Sequence, residues 1–230
     1  MIISHKHKFI WFFLIGHTAS ASIFHSLREL YDDVDYRVGI GHKDARGYRF
    51  DDPRGFRLLD SAGRYIEDCG LYTAPKELHK HSTPLELLDS GFDKKKFDEY
   101  LKIAVCRNPY TWMGAMARKN ESVERYSRKN LQNFWDSRWI VDTNHANGQI
   151  PLLTHIDKII HFEKLQSEWE VFKTAVGIKI SLPLHRIVKP HERSSPRIDY
   201  IENYSMDGFE FVNETCAQDF RLLGYRKREI

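Results

Sequence analysis

Residues 16–22 of this 230-residue chain, GHTASAS, have the types and spacing to bind an anion. The segment follows an apolar run and precedes an amphipathic one, as a turn between a strand and a helix would. Small side chains let backbone N–H groups approach a phosphate, and a helix N-terminus adds partial positive charge. A Walker A loop is excluded because its Gly-Lys pair is absent, and by itself such a segment is more often an ordinary turn. The candidate residues of this GHTASAS loop are Gly16, His17, Thr18, Ala19, Ser20, Ala21 and Ser22.

Arg107 is a second candidate anion ligand. It directly follows the apolar run YLKIAVC, which predicts a buried strand, and it precedes Asn108 and Pro109. Ligands of α/β sheets bind at the carboxyl ends of strands, and a guanidinium matches the oxygens of a phosphate. An ion pair with a structural carboxylate would explain Arg107 equally well.

His79 and His81 alternate in ELHKHSTPLELL, so in an extended segment they point the same way just before a helix. A zinc site would need further ligands, and no nearby Asp, Glu or Cys has suitable spacing, so we predict no metal. Histidine is the usual general base for a hydroxyl, although a capping or surface role is the commoner one.

The composition limits the partners and the compartment. An excess of 35 Lys and Arg over 32 Asp and Glu is too small to predict binding of nucleic acid. Three widely spaced cysteines, Cys69, Cys106 and Cys216, form neither a disulfide framework nor a metal-binding pattern. The apolar run KFIWFFLIG is far shorter than a membrane span. We therefore expect a cytoplasmic protein without a membrane span.

Strand and helix patterns alternate along the chain and predict one α/β domain over residues 1–230 with a mainly parallel sheet. The turn-rich, basic stretch at about 41–63 predicts an irregular insertion. Its charges are explained by solvation, or alternatively by contact with an anionic glycan. Predicted strands cover residues 9–15, 100–106 and 156–162. Predicted helices cover residues 22–31, a short segment after Ser82 or Thr83, a segment from Thr111, residues 163–177 and a stripe from Phe209 that ends at Gly224.

Five ordered segments, from about residue 8 to residue 225, resemble those of carbohydrate-type sulfotransferases. IGHTASASI is similar to the family's IPKTAGTSI, and KHSTPLELL to its histidine-containing segment ahead of a helix. AVCRNPYTWMGAMA is similar to FVRNPYDRLVSAY, and IIHFEKL to a strand that ends in RFENL. The last segment, FVNETCAQDFRLLGY, is similar to the family's closing helix. RNPY and QDFRLLGY are the most specific matches.

This resemblance implies a P-loop-like three-layer fold, with 3′-phosphoadenosine 5′-phosphosulfate as the donor and a saccharide hydroxyl as the acceptor. The GHTASAS loop would hold the 5′-phosphosulfate, and Arg107 would hold the 3′-phosphate. His81, with His79 as the second choice, would be the general base. His17 occupies the place of the family lysine that stabilises the leaving phosphate, and a nearby phosphate would favour its imidazolium form.

Four positions depart from the family pattern. His17 replaces a lysine, Ser20 a glycine, Trp112 an arginine and Ala115 a serine. These departures define the alternative function, a catalytically impaired relative that binds a nucleotide or a glycan. A nucleotide kinase is a third option, which the missing Gly-Lys pair disfavours.

Overall fold

The structure is a computed structural model that describes residues 1–27, 30, 36–37, 82–89, 91–121, 125–136, 148–182 and 201–230. The predictions for His79, His81, Cys69 and the insertion at 41–63 lie outside these described residues.

An open sheet of five strands, in the order β3-β1-β2-β4-β5, runs through the described part of the chain. The strands are β1 (Ile2–Ser4), β2 (Phe9–Trp11), β3 (Tyr36–Arg37), β4 (Leu101–Cys106) and β5 (Lys158–His161). β4 pairs in parallel with β2 and β5, whereas β1 is antiparallel to both of its neighbours. Only β1 among these strands therefore opposes the common direction. The predicted α/β class with a mainly parallel sheet is confirmed.

Helices and short 3-10 turns connect the strands. The helices are α1 (Ser20–Leu27), α2 (Pro84–Asp89), α3 (Lys94–Glu99), α4 (Pro109–Glu121), α5 (Arg128–Trp135), α6 (Leu165–Val176), α7 (Met206–Thr215) and α8 (Ala217–Leu223). The 3-10 turns cover Ile150–Leu153, Phe162–Lys164 and Ile201–Asn203. The C-terminal apolar stripe, predicted as one helix, is divided at Cys216 into α7 and α8.

The residues at several helix ends act as their types predict. Thr83 and Glu86 form a reciprocal capping box, since each backbone N–H donates to the other's side chain at 2.6 and 3.2 Å. Pro84 occupies the first helical position of α2. Gly177 and Gly224 end α6 and α8 in the left-handed region, with φ of 70° and 73°.

Buried side chains cover both faces of the sheet, which gives three layers. One face packs against α1 and α6, through a cluster that includes Phe9, Trp11, Ile103, Val105, Ile23, Leu27, Trp169 and Phe172. The other face packs mainly against α4, α7 and α8, through a cluster that includes Ile10, Phe12, Ala104, Cys106, Met113, Met116, Phe209, Val212 and Phe220. Alternate residues of β2 and β4 contribute to opposite clusters, as strand geometry requires.

The connections after β2 and β4 run in opposite directions across the sheet. α1 follows β2 and the chain next enters the sheet at β3, on the far side of β1, whereas α4 and α5 lead from β4 to β5 at the opposite edge. α1 and α4 also pack on different faces. In an open α/β sheet such a reversal opens a crevice at the carboxyl ends of the two strands, and ligands bind there.

Candidate functional site

The GHTASAS loop and Arg107 meet beyond the carboxyl ends of β2 and β4, where the topology predicts a crevice. The parallel register pairs Trp11, the last residue of β2, with Ile103, so the chain leaves both strands at the same edge of the sheet. The Arg107 Nη1 donates a hydrogen bond to the His17 carbonyl oxygen at 2.9 Å. The structure thus brings together two candidate anion-binding elements that are 90 residues apart in the chain.

The backbone of the GHTASAS loop reverses sharply at two non-glycine residues. His17 and Ala19 both have a φ of 60°, in the left-handed region that costs such residues about 1–2 kcal/mol each. Backbone reversals of this kind form concavities that present N–H groups to anions. Ser20 is not among the residues with positive φ, so the glycine that the family pattern carries there is not required by the backbone of this loop.

The start of α1 adds N–H donors at the same place. Its first helical hydrogen bond runs from the Ile23 N–H to the Ala19 carbonyl at 3.0 Å. The main-chain N–H groups of Ser20, Ala21 and Ser22 therefore have no partner within the helix, and they carry the positive end of its dipole. This end of α1 can favour a bound phosphate through both effects.

The side chains of the loop differ in their exposure. Thr18 is buried, and its hydroxyl donates to the Ile15 carbonyl at 2.6 Å. This hydrogen bond stabilises the turn. His17, Ser20 and Ser22 are partly exposed. The side chains of these two serines and of the histidine are therefore accessible to a ligand.

Gly16 lies close to α4. A Cβ at this position would lie 3.3 Å from the Met116 Sδ of α4. Gly16 therefore lets the loop pass close to the helix that begins just after Arg107.

Neutral groups orient the Arg107 side chain. Its Nε donates to the Thr111 Oγ1 at 3.1 Å, and its guanidinium lies 4.5 Å from the centre of the Phe162 ring. The hydrogen bond to the loop carbonyl is likewise to a neutral acceptor. These three contacts fix the direction of the guanidinium beside the loop.

The main chain of Arg107 is held by a buried glutamine. The Gln149 Oε1 accepts from the Arg107 N–H at 2.9 Å, and the Gln149 Nε2 donates to the Arg107 carbonyl at 2.7 Å. The carboxylate of Asp219, in α8, accepts in turn from the Gln149 N–H at 2.9 Å and from the Ile150 N–H at 3.0 Å. Burial raises the pKa of the Asp219 carboxyl above its ordinary value, and the hydrogen bonds from Gln149 and Ile150 partly offset this rise.

Asn108, the residue after Arg107, is held by Glu163. Glu163 accepts from the Asn108 N–H at 2.8 Å and from the Tyr225 hydroxyl at 2.7 Å. The Tyr225 hydroxyl also lies 3.6 Å from the Sγ of Cys106, and burial raises the pKa of that thiol to about 12. Cys106 is therefore a protonated packing residue at neutral pH, and the chain leaving β4 is fixed on both sides.

The site residues predicted from sequence are brought together only in part. The GHTASAS loop and Arg107 are adjacent, whereas His79 and His81 lie outside the described residues. Trp112 and Ala115, two of the departures from the sulfotransferase pattern that the sequence resembles, are both buried. Trp112 belongs to the core cluster beneath α4.

Sequence reasoning assigned no role to Gln149, Glu163 or Asp219. Asp219 lies in QDFRLLGY, one of the two most specific matched segments, so a signal was present for this residue. Gln149 lies outside every predicted strand and helix, and no pattern marked it. Its contact with Arg107 spans 42 residues and depends on tertiary structure.

Comparison of the chain with models of protein families, with characterised proteins and with solved structures found no match. Over the described ranges, no three side chains of His, Cys, Asp or Glu are grouped so that they could hold a metal ion. No helix among the described residues has both the length and the apolar character needed to cross a membrane.

Proposed function

We propose that the chain is a sulfotransferase with a P-loop-like fold, which moves a sulfuryl group from 3′-phosphoadenosine 5′-phosphosulfate to a saccharide hydroxyl. The observation that carries this proposal is the 2.9 Å contact between Arg107 and the GHTASAS loop in the crevice. The family resemblance assigns these two elements to the two phosphate ends of one nucleotide. Their proximity is what a single donor molecule would need.

Each residue has a distinct role in the proposed reaction. The N–H groups at the start of α1 bind the 5′-phosphosulfate, and Arg107 binds the 3′-phosphate. His81, with His79 as the second choice, removes the proton from the acceptor hydroxyl. The acceptor oxygen then forms a bond to sulfur while the bond from sulfur to the phosphate oxygen breaks. The products are a sulfate ester and 3′-phosphoadenosine 5′-phosphate.

Positioned positive charge is the main catalytic requirement of this in-line transfer. Negative charge develops on the phosphate oxygen that leaves sulfur. His17, as an imidazolium, donates a hydrogen bond to that phosphate. It thereby replaces the family lysine only in part, because a lysine is charged at any pH near neutral and a histidine is not.

Transfer of labelled sulfuryl from the donor to a panel of saccharides tests the proposal. We expect the wild-type chain to label at least one saccharide, and we expect His81→Ala and Arg107→Ala to reduce the rate by about 100-fold or more. Arg118→Ala, which removes an exposed arginine of α4, is the matched control and retains full activity. Full activity in both His81→Ala and Arg107→Ala would refute the proposed roles.

A binding module is the second candidate function. The observation that favours it is the orientation of Thr18, whose hydroxyl donates to the Ile15 carbonyl inside the loop. With His17 in place of a lysine, the loop binds the nucleotide mainly through its main chain. A chain that binds 3′-phosphoadenosine 5′-phosphate but transfers no sulfuryl group to any acceptor would support this function over catalysis.

We also propose a cytoplasmic location. Both cysteines in the described part of the chain, Cys106 and Cys216, are buried free thiols. Free thiols are typical of a reducing compartment. Fractionation of cells that express the full chain tests this location, and recovery in the secreted fraction would contradict it.

A further inference from the structure

We infer that Gln149 and Asp219 are positioning residues of the candidate nucleotide site, and that they act on the ligand only through Arg107. The inference rests on the proposed function insofar as Arg107 binds a nucleotide phosphate. It adds two residues to the proposed site, and it gives the Asp of QDFRLLGY a physical role.

The first step is the pairing of Arg107 with the Gln149 side chain. β4 ends at Cys106, whose partner in β5 is His161, so Arg107 is the first residue beyond the paired strands. Gln149 is fully buried and supplies one acceptor and one donor to the Arg107 main chain, at 2.9 and 2.7 Å. A carboxamide can provide both at once. The Gln149 side chain therefore makes the two hydrogen bonds to the Arg107 main chain that a neighbouring strand would make within the sheet.

The second step is the fixation of Gln149 by Asp219. The Gln149 N–H lies 2.9 Å from both carboxylate oxygens, and the Ile150 N–H donates to one of them at 3.0 Å. Asp219 is fully buried, so these hydrogen bonds form away from water. The preceding Gly148 has a φ of 83°, and a Cβ there would lie 2.8 Å from an Asp219 oxygen. The segment therefore fits closely around the carboxylate.

Arg107 itself connects Gln149 and Asp219 to the candidate nucleotide site. Arg107 carries the pairing with Gln149 on its main chain and the contact with the GHTASAS loop on its side chain. A shift of the Arg107 main chain would move its guanidinium relative to the loop. Displacement of a positioned charge by about 1 Å can cost about 100-fold in activity. A residue that fixes this main chain therefore affects the ligand without touching it.

Amide hydrogen exchange tests the pairing itself. We expect Gln149→Met to increase the exchange rate of the Arg107 amide by about 10-fold or more, because it removes the acceptor while it preserves the apolar bulk. The Ala104 and Val105 amides in β4 keep their protection. Gln132→Met, at an exposed glutamine of α5, is the matched control and changes none of these rates. Unchanged exchange at Arg107 in Gln149→Met would overturn the inference.

A double-mutant cycle tests whether Gln149 acts through Arg107. We expect Gln149→Met to weaken binding of 3′-phosphoadenosine 5′-phosphate by about 10-fold in the wild-type chain, and by less than about 2-fold in the Arg107→Ala background. Equal weakening in both backgrounds would mean a general structural effect and would overturn the inference. If Gln149→Met does not fold, Gln149→Asn replaces it, because its carboxamide is neutral but one methylene shorter and cannot make both hydrogen bonds to the Arg107 main chain.

Asp219→Asn tests whether Asp219 holds Gln149 and, through Gln149, Arg107. It replaces one acceptor oxygen with a donor, so we expect faster exchange at Gln149 and Arg107 and nucleotide binding weakened by about 10-fold. Asp207→Asn is the matched control, since Asp207 also accepts from a distant main-chain N–H, that of Arg128, at 3.2 Å. If Asp219→Asn does not fold, Asp219→Ser replaces it. Unchanged exchange and binding in the folded variant would overturn the role of Asp219.

Failure of the proposed function gives a different result. A wild-type chain that binds no nucleotide at millimolar ligand refutes the proposed function, and with it the role in ligand binding. The exchange experiment does not depend on the ligand, so it still decides whether Gln149 and Asp219 hold Arg107.

Discussion

At the scale of single residues, His17 is the residue on which the proposed turnover depends most. Its backbone is in the left-handed region, its carbonyl accepts from Arg107, and its partly exposed side chain is shorter than the family lysine. A lysine carries a permanent charge at neutral pH on a longer, flexible side chain. The identity of this side chain therefore separates catalysis from binding.

We predict that His17→Lys increases the rate of sulfuryl transfer by about 100-fold, the size of effect seen when one charge-stabilising donor is restored. Initial rates with labelled donor measure the change. The matched control is His155→Lys, because His155 also has a positive φ, of 66°, but lies in an exposed turn. Equal rates in the wild type and His17→Lys would contradict the role of this position.

We predict that Cys106 makes the protein less stable as the pH rises above about 9. Burial raises the pKa of the folded thiol from 9.0 to about 12. Between these values the unfolded chain loses the proton and the folded chain keeps it, so rising pH favours unfolding. Cys106→Ala should reduce the slope of the unfolding free energy against pH by up to about 1.4 kcal/mol per unit.

Urea unfolding between pH 8 and about 10.5 measures this slope. Cys106→Ser is the control for packing, since serine does not titrate either and should give the same reduction. A slope that matches the wild type in both variants would contradict the assignment.

At the scale of elements, the sequence patterns predict where the longer strands lie more accurately than they predict the residues at which those strands end. The apolar run at 9–15 contains β2, which ends at Trp11, although the Phe12 N–H still donates to the Ile103 carbonyl. Phe13 to Ile15, which lie beyond the assigned strand, are also buried as they lead into the loop. Periodicity reports burial, and burial continues past the last ladder hydrogen bond.

Among the elements that were not predicted, β1 and α3 illustrate two different reasons. β1 (Ile2–Ser4) has only three residues, too few to establish a period. α3 (Lys94–Glu99) is strongly charged and buries only Phe97, so it has no apolar stripe. Both depend on their neighbours for stability, and a single sequence carries little signal for such elements.

The residues of the candidate site also fall into two groups, those that local sequence patterns indicate and those that only tertiary contacts reveal. The GHTASAS loop and Arg107 could be predicted, because small residues after a strand and an arginine at a strand end have a local physical meaning. The contacts of Gln149 with Arg107 and of Asp219 with Gln149 span 42 and 70 residues. Their residue types are common, so only the folded chain reveals the pairing.

We predict that Gly148→Ala lowers the free energy of unfolding by about 3 kcal/mol or more. An alanine would combine the strain of a φ of 83° with a 2.8 Å approach to the Asp219 carboxylate. Gly91→Ala is the matched control, because Gly91 has a φ of 90° and open space around it, so about 1–2 kcal/mol is expected. Equal losses in the two variants, measured by urea unfolding, would contradict the close fit at Gly148.

At the scale of the whole molecule, an aromatic cluster on one face of the sheet contributes to the core. The aromatic cluster of Phe9, Trp11, Trp169 and Phe172 packs on one face, with ring centres 4.9–5.5 Å apart. Two of its members, Phe9 and Trp11, belong to β2. The GHTASAS loop begins beyond the carboxyl end of that strand. None of these four rings belongs to the candidate site, so we expect the cluster to contribute to stability rather than to ligand binding.

We predict that Phe172→Ala lowers the free energy of unfolding by about 3–5 kcal/mol and leaves nucleotide affinity within about 2-fold of the wild type. The cavity forms against the rings of Phe9 and Trp11. Urea unfolding and calorimetry on the same folded sample measure the two quantities. A large loss of affinity with little loss of stability would contradict this separation.

Calorimetric titration with 3′-phosphoadenosine 5′-phosphate tests most directly whether the crevice is a nucleotide site. We expect the wild type and Arg118→Ala to bind with equal affinity, and Arg107→Ala to bind about 10- to 150-fold more weakly, as loss of a charge-assisted hydrogen bond predicts. No binding by the wild type at millimolar ligand, or equal affinity in Arg107→Ala, would contradict the proposed site.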